Sequence, residues 1–203
     1  MISNYFRAYS TAGNISGDIV YVNYARVEDF MHLNETGINV QDQICLSRYG
    51  QIFRGNKARY AENYGCKGLI LFSDSQDYTQ DWIEPYPNSW FLPKTGAQRG
   101  STYLENGDPE TPFYPSIPDA YRWTREKTAL YGNKFGTTGL PGLPNIPITP
   151  IGYGDAKMFI ERMQGTPAPS DWQGGIKDDD GAPLVYYYDK MGDGQKAKMY
   201  VQV

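Results

Sequence analysis

Short apolar runs alternate with polar, helix-like segments along the first third of the chain. Runs rich in β-branched and aromatic residues at 18–24, 43–49 and 67–73 have the length and composition of strands. Between them, 26–33 carries acidic residues in its first turn, and 55–64 is a polar helical segment. The order strand–helix–strand–helix–strand predicts a parallel or mixed sheet.

The middle of the chain, 74–118, has no sustained period and is rich in Pro, Gly, Tyr and Trp. A loop of this length in a compact domain is usually functional or held by its own side chains, and its many aromatic residues argue against disorder. A helix is expected over 119–130. The aromatic residues of the middle segment are Tyr78, Trp82, Tyr86, Trp90, Phe91, Tyr103, Phe113 and Tyr114.

The last third begins with a Gly/Pro segment at 132–150 and continues with 154–163, which has apolar residues on one helical face. Two apolar runs, 184–188 and 198–203, are expected to form a closing hairpin around the Gly-Asp-Gly turn at 192–194. The pattern therefore predicts an α/β or α+β fold with helices and long ordered loops.

Length and composition fit one globular domain over 1–203, because the 203 residues are 40% apolar and contain no repeat or linker. The formal net charge of −4 argues against a nucleic-acid partner. No apolar run approaches the roughly 20 residues of a membrane span. The first residues lack the basic and apolar regions of a signal peptide, so any targeting segment is expected outside this chain.

The chain contains two cysteines, which could form a disulfide, and two triplets that match the N-glycosylation motif. Cys45 and Cys66 each lie in an apolar stretch, where pairing and a buried thiol are both reasonable, and two free thiols are the favoured interpretation. Asn14 opens the triplet Asn-Ile-Ser and Asn34 opens Asn-Glu-Thr, so both are candidates for N-glycosylation.

The chain is expected to contain no catalytic site of its own. Its single histidine, His32, excludes an HExxH motif and a His-rich zinc cluster, and it is better explained as a solvent-facing or hydrogen-bonded helix residue. The acidic run 178–180 with Gly181 is similar to a calcium loop, but an EF-hand in that register would begin at Ile176, which offers no ligand side chain. A solvated turn is the better interpretation.

One positive signal lies between the second strand and the second helix. Backbone N–H groups at a helix start attract anions, and Arg54 and Lys57 would be unfavourable beside them unless a carboxylate or phosphate lies near. Arginine binds carboxylates in a bidentate manner, so an arginine-gated carboxylate site is one interpretation. From this motif alone, the favoured alternative is that Arg54 and Lys57 are two exposed cations tolerated in water.

A set of motifs in one order resembles the PA (protease-associated) domain of the glutamate carboxypeptidase II family, which includes folate hydrolase and N-acetylated α-linked acidic dipeptidase and has the transferrin receptor as a non-enzymatic relative. The resemblance covers nearly the whole chain and implies a central mixed sheet or open barrel flanked by helices, with long ordered loops. It opens with Val20-Tyr21-Val22-Asn23-Tyr24-Ala25-Arg26-Val27-Glu28-Asp29-Phe30 and continues with Arg48-Tyr49-Gly50, Phe53-Arg54-Gly55-Asn56-Lys57, Gly65-Cys66-Lys67-Gly68, Tyr86-Pro87, Leu92-Pro93, Gln98-Arg99-Gly100, Gly107-Asp108-Pro109, Thr111-Pro112, Tyr114-Pro115, Ile146-Pro147, Pro150-Ile151-Gly152-Tyr153 and Trp172.

The resemblance implies a substrate-recognition and structural domain of a zinc-dependent exopeptidase ectodomain. In that family the zinc ligands and the catalytic glutamate belong to a separate catalytic domain, which is expected to follow residue 203. The expected cofactors, catalytic zinc and structural calcium, therefore belong to the longer protein. The segment 131–142 is longer here than in the family.

The resemblance also implies roles for individual residues. Arg54 matches the arginine that grips the C-terminal carboxylate of a glutamate substrate, and Asn56 lies in the same motif. Ser101 stands where the family has an asparagine at the same substrate end, so a strict preference for glutamate is not expected. Thr111 and Tyr114 match positions that lend oxygens to calcium.

Expected partners are the catalytic domain of the same chain, a peptide or acidic C-terminal substrate, and a second copy of the longer protein in a homodimer. The resemblance implies a cell-surface or extracellular location, as the ectodomain of a single-pass membrane protein. Two alternatives stay open: an inactive, transferrin receptor-like protein, and a stand-alone PA-domain protein that binds a partner through its aromatic loop.

Overall fold

The computed structural model describes residues 9–80, 83–128, 139–189, 192, 194 and 196–201. These residues form an α/β arrangement with two separate sheets, and the class expected from the sequence is confirmed. In chain order the elements are β1 (Gly13–Gly17), β2 (Ile19–Tyr21), α1 (Val27–Glu35), β3 (Ile44–Arg48), α2 (Arg54–Asn63), β4 (Gly68–Phe72), α3 (Ser75–Tyr78), β5 (Ile148–Ile151), α4 (Tyr153–Ile160), a 3₁₀ turn (Ser170–Trp172) and β6 (Ala197–Val201).

The larger sheet has four strands in the order β2-β3-β4-β5, and every neighbouring pair is parallel. All residues of β3 and β4 are buried, as expected where helices and loops cover both faces of a parallel sheet. Phe30 and Leu33 of α1 and Ala58 and Ala61 of α2 pack into the same core. The described strands form neither a barrel nor one mixed sheet, so those two alternatives are replaced by a parallel sheet and a separate small one.

The predicted order of the first five elements is confirmed as β2, α1, β3, α2 and β4. Each predicted strand is one to three residues too long at its ends, where flanking residues such as Val22 and Tyr49 are buried and still donate a hydrogen bond to the neighbouring strand. The amphipathic helix predicted at 154–163 is α4, which ends at Ile160.

Strand β5 is absent from the sequence-based prediction, which placed a Gly/Pro segment at 132–150. Its sequence contains Pro150, which lies opposite Leu71 of β4. Proline lacks a backbone N–H and normally rules out a central strand. At the sheet edge β5 pairs on one side only, so the missing donor is tolerated there.

The smaller sheet contradicts the predicted C-terminal hairpin. Strand β6 pairs antiparallel with β1, in a register that places Ile15 opposite Met199. Both side chains pack against the start of β4, since a Cβ added at Gly68 would lie 2.3 Å from the Ile15 Cδ1 atom and 3.3 Å from the Met199 sulfur. This packing on the core outweighs a local turn signal. In 184–188, Tyr187 instead forms an isolated bridge with Pro167; residues 193, 202 and 203 lie outside the described part.

Two further predictions fall partly outside the described residues. Of the helix predicted at 119–130, only 125–128 is helical within the described part, and 119–124 is not. The longer segment 131–142 lies mostly outside it, as does Trp82 of the aromatic loop. The rest of that loop is largely irregular, with α3 as its one helix among the described residues.

Cys45 and Cys66 form a disulfide, so the prediction of two free thiols is wrong. Cys45 lies in β3, and Cys66 lies in the turn that follows α2 and precedes β4. The crossover through α2 returns the chain beside β3 and brings the two Cα atoms to 6.0 Å. Both residues are buried in the core. Sequence spacing alone does not reveal this, because the proximity depends on the pairing of β3 with β4.

Within the described ranges, none of the helices has the length and apolar character that a membrane span requires.

The disulfide is expected to stabilise the domain by about 3 kcal/mol, because it closes a loop across 21 positions and so restricts the unfolded chain. Urea unfolding should therefore show a lower midpoint for the variant Cys45→Ala/Cys66→Ala than for the oxidised wild type. The reduced wild type separates the lost bond from lost packing, since it keeps both side chains. If the oxidised and reduced wild type unfold at the same midpoint, the disulfide does not carry this stability.

Candidate functional site

Arg54 is the first residue of α2, at the end of the sheet where the parallel strands finish. Phe53 precedes it in an extended conformation, and no side chain caps the helix start. The first turn contains no acidic residue. The helix therefore begins with a cation beside its positive end, and an anion bound there would interact favourably with both.

The guanidinium of Arg54 is held by two long hydrogen bonds to neutral oxygens. Nη2 donates to Gln98 Oε1 at 3.2 Å, and Nη1 donates to the Ser101 carbonyl at 3.4 Å. The guanidinium carbon lies 5.4 Å from the centre of the Phe53 ring. The Nε atom is buried without a hydrogen-bond partner, and Arg54 forms no salt bridge among the described residues. A half-buried guanidinium thus retains binding capacity for a carboxylate.

The loop that carries Gln98 closes tightly over this guanidinium. Gly100 has a φ of +149°, and a Cβ there would lie 2.8 Å from the Arg54 guanidinium carbon. Glycine therefore allows the loop to approach the arginine. The loop is also tied to the scaffold, since the Tyr49 hydroxyl donates to the Gln98 carbonyl at 2.7 Å and the Gln98 side-chain amide reaches the Tyr78 hydroxyl at 3.4 Å.

The predicted substrate-binding residues are only partly brought together. Arg54 and Ser101 are in contact, but through the Ser101 carbonyl, while the Ser101 hydroxyl accepts the Tyr103 N–H at 3.0 Å. Asn56 lies two positions after Arg54 on α2 and is half-buried. Gln98 contacts the guanidinium directly, and the sequence interpretation did not assign it a role, although its Gln-Arg-Gly motif was recognised.

Lys57 is not an exposed cation, contrary to the favoured sequence interpretation. It is fully buried, and its Nζ donates to the carbonyls of Tyr24 at 2.5 Å and Gly50 at 2.8 Å. Burial lowers the pKa of Lys57 to about 7, against its ordinary value of 10.5. One turn after Arg54, this side chain therefore fastens α2 to the chain that follows β2 and to the chain that follows β3.

A buried polar cluster, which sequence patterns did not predict, surrounds the same end of the sheet. Arg48, only 1% exposed, lies at the end of β3 and donates to Asn23 Oδ1 at 2.8 Å. Its guanidinium carbon is 4.3 Å from the centre of the Tyr24 ring, and its Nη1 is 3.5 Å from Asp77. The Arg48 Nε is also buried without a partner. Asp77 in turn accepts the Tyr24 hydroxyl at 2.6 Å.

Asp74 connects this cluster to the C-terminal part of the chain. It follows β4, is fully buried, and accepts the Gln76 N–H at 2.9 Å and the Gly175 N–H at 2.7 Å. Its other oxygen accepts the hydroxyl of Tyr186. Burial, followed by the hydrogen bond to Asp77, raises the pKa of Tyr24 to about 12. The tyrosines of the cluster therefore stay protonated and donate hydrogen bonds at neutral pH.

The two predicted calcium residues offer part of a coordination shell. Thr111 is buried, and its hydroxyl is without a partner. The Tyr114 hydroxyl donates to the Tyr121 carbonyl. The nearby acid, Asp108, is occupied by Arg122 and by other donors. Calcium takes 6–8 oxygen ligands, so the orphan hydroxyl fits such an ion only if further oxygens come from elsewhere.

The other candidate ligand groups have structural explanations. His32 Nε2 lies 2.6 Å from the Tyr188 hydroxyl, and its ring packs 5.1 Å from that of Trp172, so the hydrogen-bonded interpretation is confirmed. In the acidic run, Asp178 accepts backbone N–H groups of its own turn, as predicted. Searching the described residues finds no group of three or more His, Cys, Asp or Glu side chains able to hold a metal.

Both glycosylation candidates lie on the surface. Asn14 is an exposed residue of β1, and Asn34 is exposed in the last turn of α1. Exposure satisfies what a folded glycoprotein requires at such a position.

Comparison with known proteins places this geometry in a family context. Residues 13–103 match the PA domain. Over 190 residues the chain is 39% identical to a glutamate carboxypeptidase 2 homolog from Caenorhabditis briggsae, an alignment that covers 92% of this chain and 23% of that protein. It is 37% identical over 174 residues to aminopeptidase NAALADL1 from Mus musculus, covering 84% and 22% of the two proteins.

Transferrin receptor protein 2 from Homo sapiens is also similar, at 31% identity over 168 residues, covering 83% of this chain and 19% of that protein. The chain thus spans less than a quarter of the length of these relatives. Proteins named as peptidases and a protein named as a receptor are thus both similar to this chain, so an activity has to be argued from the site.

The buried Lys57 predicts a stability that rises with pH. Above the folded pKa of about 7 and below the ordinary value of 10.5, the unfolded lysine holds a proton that the folded one lacks. The free energy of unfolding should therefore increase from pH 7 to about pH 9.5, with one proton setting a ceiling of about 1.4 kcal/mol per pH unit. Urea unfolding at several pH values measures this slope.

The variant Lys57→Met isolates the effect, because its side chain keeps much of the volume and cannot titrate. Its overall stability will fall, since the Tyr24 and Gly50 carbonyls lose their donor, but its slope over this pH range should be smaller than that of the wild type. Equal slopes in the two proteins would show that Lys57 keeps its proton in the folded state.

Proposed function

We propose, because residues 13–103 match the PA domain, that this chain is the non-catalytic substrate-recognition and structural domain of a glutamate carboxypeptidase-like zinc metallopeptidase. In this proposal Arg54 binds the free C-terminal carboxylate of a peptide substrate. The observation that carries it is the state of the Arg54 guanidinium, which has a buried unpaired Nε and only long bonds to neutral oxygens.

Arg54 and Arg48 differ in a way that supports this assignment. Both leave a buried Nε unpaired. Arg48, however, is 1% exposed and lies beside Asp77, so no ligand can reach it. Arg54 is half-buried at a helix start with no acid in its first turn. An incoming carboxylate would meet the guanidinium and the positive end of α2 together.

Ser101 affects how strictly the proposed site would select the terminal residue of a substrate. Its hydroxyl already accepts the Tyr103 N–H, and its carbonyl accepts the Arg54 guanidinium. A serine is also shorter than the family's asparagine. We therefore infer recognition of the terminal carboxylate itself, through Arg54 with Asn56 and Gln98 nearby, and a less strict requirement for glutamate as the terminal residue.

The chemistry of hydrolysis belongs to the longer protein in this proposal. Catalytic zinc, held by a separate domain, supplies an activated water for attack on the peptide bond. This chain contributes orientation, because a fixed carboxylate holds the scissile bond at a set distance from the metal. Thr111 and Tyr114 would give oxygens to a structural calcium that is completed by acidic residues of that domain.

Large exposed side chains in the aromatic loop support a docking role for it. Trp90 is 87% exposed and Phe113 is 96% exposed, and Ile117 and Tyr121 are also largely exposed. Apolar groups in such exposed positions are typical of surfaces that another protein covers. We propose that the catalytic domain of the same chain packs here. The similarity to a transferrin receptor favours a second candidate function, in which a receptor-like protein uses the domain to bind a partner.

The disulfide favours a cell-surface or extracellular location for the longer protein. Structural disulfides such as Cys45–Cys66 form and persist in oxidising compartments and are rare in the cytosol. Homodimerisation of the longer protein remains part of the same proposal, as in the implied family architecture.

Substituting Arg54 in the longer protein tests the proposed role directly. Arg54→Gln should raise KM by about 10- to 100-fold for peptides with a free C-terminal carboxylate, because a charge-assisted hydrogen-bonded pair is worth about 1.5–3 kcal/mol. Steady-state kinetics with a matched pair of substrates, one free and one amidated at the C-terminus, measures this effect.

Two controls make the result specific. Arg59→Gln, on the same helix, should leave KM unchanged, and the amidated substrate should respond little to Arg54→Gln. Equal losses for the free and amidated substrates would mean that Arg54 supports the fold rather than the carboxylate. A longer protein that hydrolyses no peptide in any form would favour the receptor-like function.

A further inference from the structure

A groove lies between the end of α1 and the loop that leads to β3. Tyr64, at the opposite end of α2 from Arg54, lines it. The volume of the groove is about 610 Å³, which is in the range of small-molecule sites. The half-buried ring of Tyr64 gives it an apolar wall and is backed by the buried ring of Phe30, which stacks on it at 4.6 Å. Met31 flanks them, and Asn39 and Gln41 add amide groups to the lining. Such a mixed surface suits a ligand with both C–H faces and hydroxyl groups.

Asn34 lies on the lining of the same groove. It is exposed. The next two residues, Glu35 and Thr36, are exposed as well and complete the Asn-Glu-Thr triplet. A glycosylation acceptor is therefore placed at the edge of a groove that a sugar attached to it can reach.

The buried disulfide provides an independent indication of compartment. Cys45 and Cys66 are bonded inside the core, which requires folding under oxidising conditions. In eukaryotic cells the secretory pathway provides those conditions, and N-linked glycans are added there. The fold and the triplet thus point to the same cellular route, although they involve different residues.

We propose that Asn34 carries an N-linked glycan and that the first sugar of this glycan occupies the groove beside α1. A glycosyltransferase would join C1 of the sugar to Nδ2 of Asn34 and break the bond between C1 and the diphosphate of a lipid-linked oligosaccharide donor. The proton lost by Nδ2 leaves with the diphosphate. The inference does not depend on Arg54 or on any peptidase activity.

The other triplet lacks these features. Asn14 lies in β1, opposite Tyr200 of β6, and it is not among the residues that line the groove beside α1. A glycan on Asn14 would extend into solvent from a two-stranded sheet. The groove therefore distinguishes Asn34 as the position where a glycan also packs against the protein.

Mass spectrometry of peptides tests the modification, using protein secreted from a eukaryotic host. Asn34 should be occupied in the wild type and in Thr36→Ser, which keeps the triplet, and the corresponding glycan mass should disappear in Asn34→Gln. An unmodified Asn34 in well-folded secreted wild-type protein would overturn the proposal.

Methionine oxidation tests the position of the first sugar. Met31, beside the groove, is 52% exposed, and Met158 on α4 is 51% exposed, so the two are matched for access to peroxide. With the glycan present, Met31 should oxidise about threefold or more slowly relative to Met158. The protection should persist when an endoglycosidase trims the glycan to a single sugar, and it should be lost in Asn34→Gln.

An oxidation ratio that is the same in glycosylated protein and in Asn34→Gln would show that the sugar does not lie in the groove. Protection that disappears on trimming to one sugar would assign the effect to the outer sugars and would also overturn the proposed placement. Met158 should oxidise equally in all samples, which confirms that the fold is unchanged.

Discussion

Charged side chains buried at the carboxyl end of the parallel sheet are the constraint on which the rest of the domain depends. Arg48, Lys57, Asp29 and Asp74 are each at most 1% exposed. A buried charge costs several kcal/mol unless hydrogen bonds and opposite charges replace water. Their partners come from distant parts of the chain, since Asn23 follows β2, Asp77 lies in α3 and Gly175 belongs to the C-terminal third. These segments must therefore be in place together, and the irregular C-terminal part is fixed by the same bonds that satisfy the sheet end.

This arrangement explains how a loop-rich domain can hold a binding group in a defined position. Lys57 fastens the first turn of α2 to the chain after β2 and the chain after β3, three residues beyond Arg54. The opposite side of the site is fixed by Tyr49, whose hydroxyl holds the loop that carries Gln98. Arg54 thus stands between two anchored segments, while its own contacts are long. A scaffold of this kind restrains the guanidinium without using its charge.

The sequence predicted those parts of the fold that local patterns determine. Apolar runs and helix signals located β2, β3, β4 and the helices between them, and the order of motifs indicated a resemblance to the PA domain, which residues 13–103 match. Strand β5 was not predicted, because its proline argues against a strand unless its position at the sheet edge is known. Three further features were not predicted for one shared reason: each depends on contacts between segments far apart in sequence. They are the pairing of β1 with β6, the disulfide and the burial of Lys57. For the site, the helix start made Arg54 a candidate and the resemblance implied its role, whereas the closure of the loop at Gly100 was not predicted.

The two basic residues of the Phe-Arg-Gly-Asn-Lys motif, Arg54 and Lys57, differ in how many of their hydrogen-bond donors have partners. Lys57 donates to two carbonyls at short distances, as a buried structural lysine should. Arg54 leaves one buried donor unpaired, and a buried unpaired donor costs about 1–3 kcal/mol. If Arg54 had only a packing role, an uncharged side chain of similar length would avoid this cost and the repulsion from the start of α2. A bound carboxylate, as proposed for this site, would remove both penalties at once. The same motif therefore contains one basic residue whose donors hold the scaffold and one that keeps an unpaired donor.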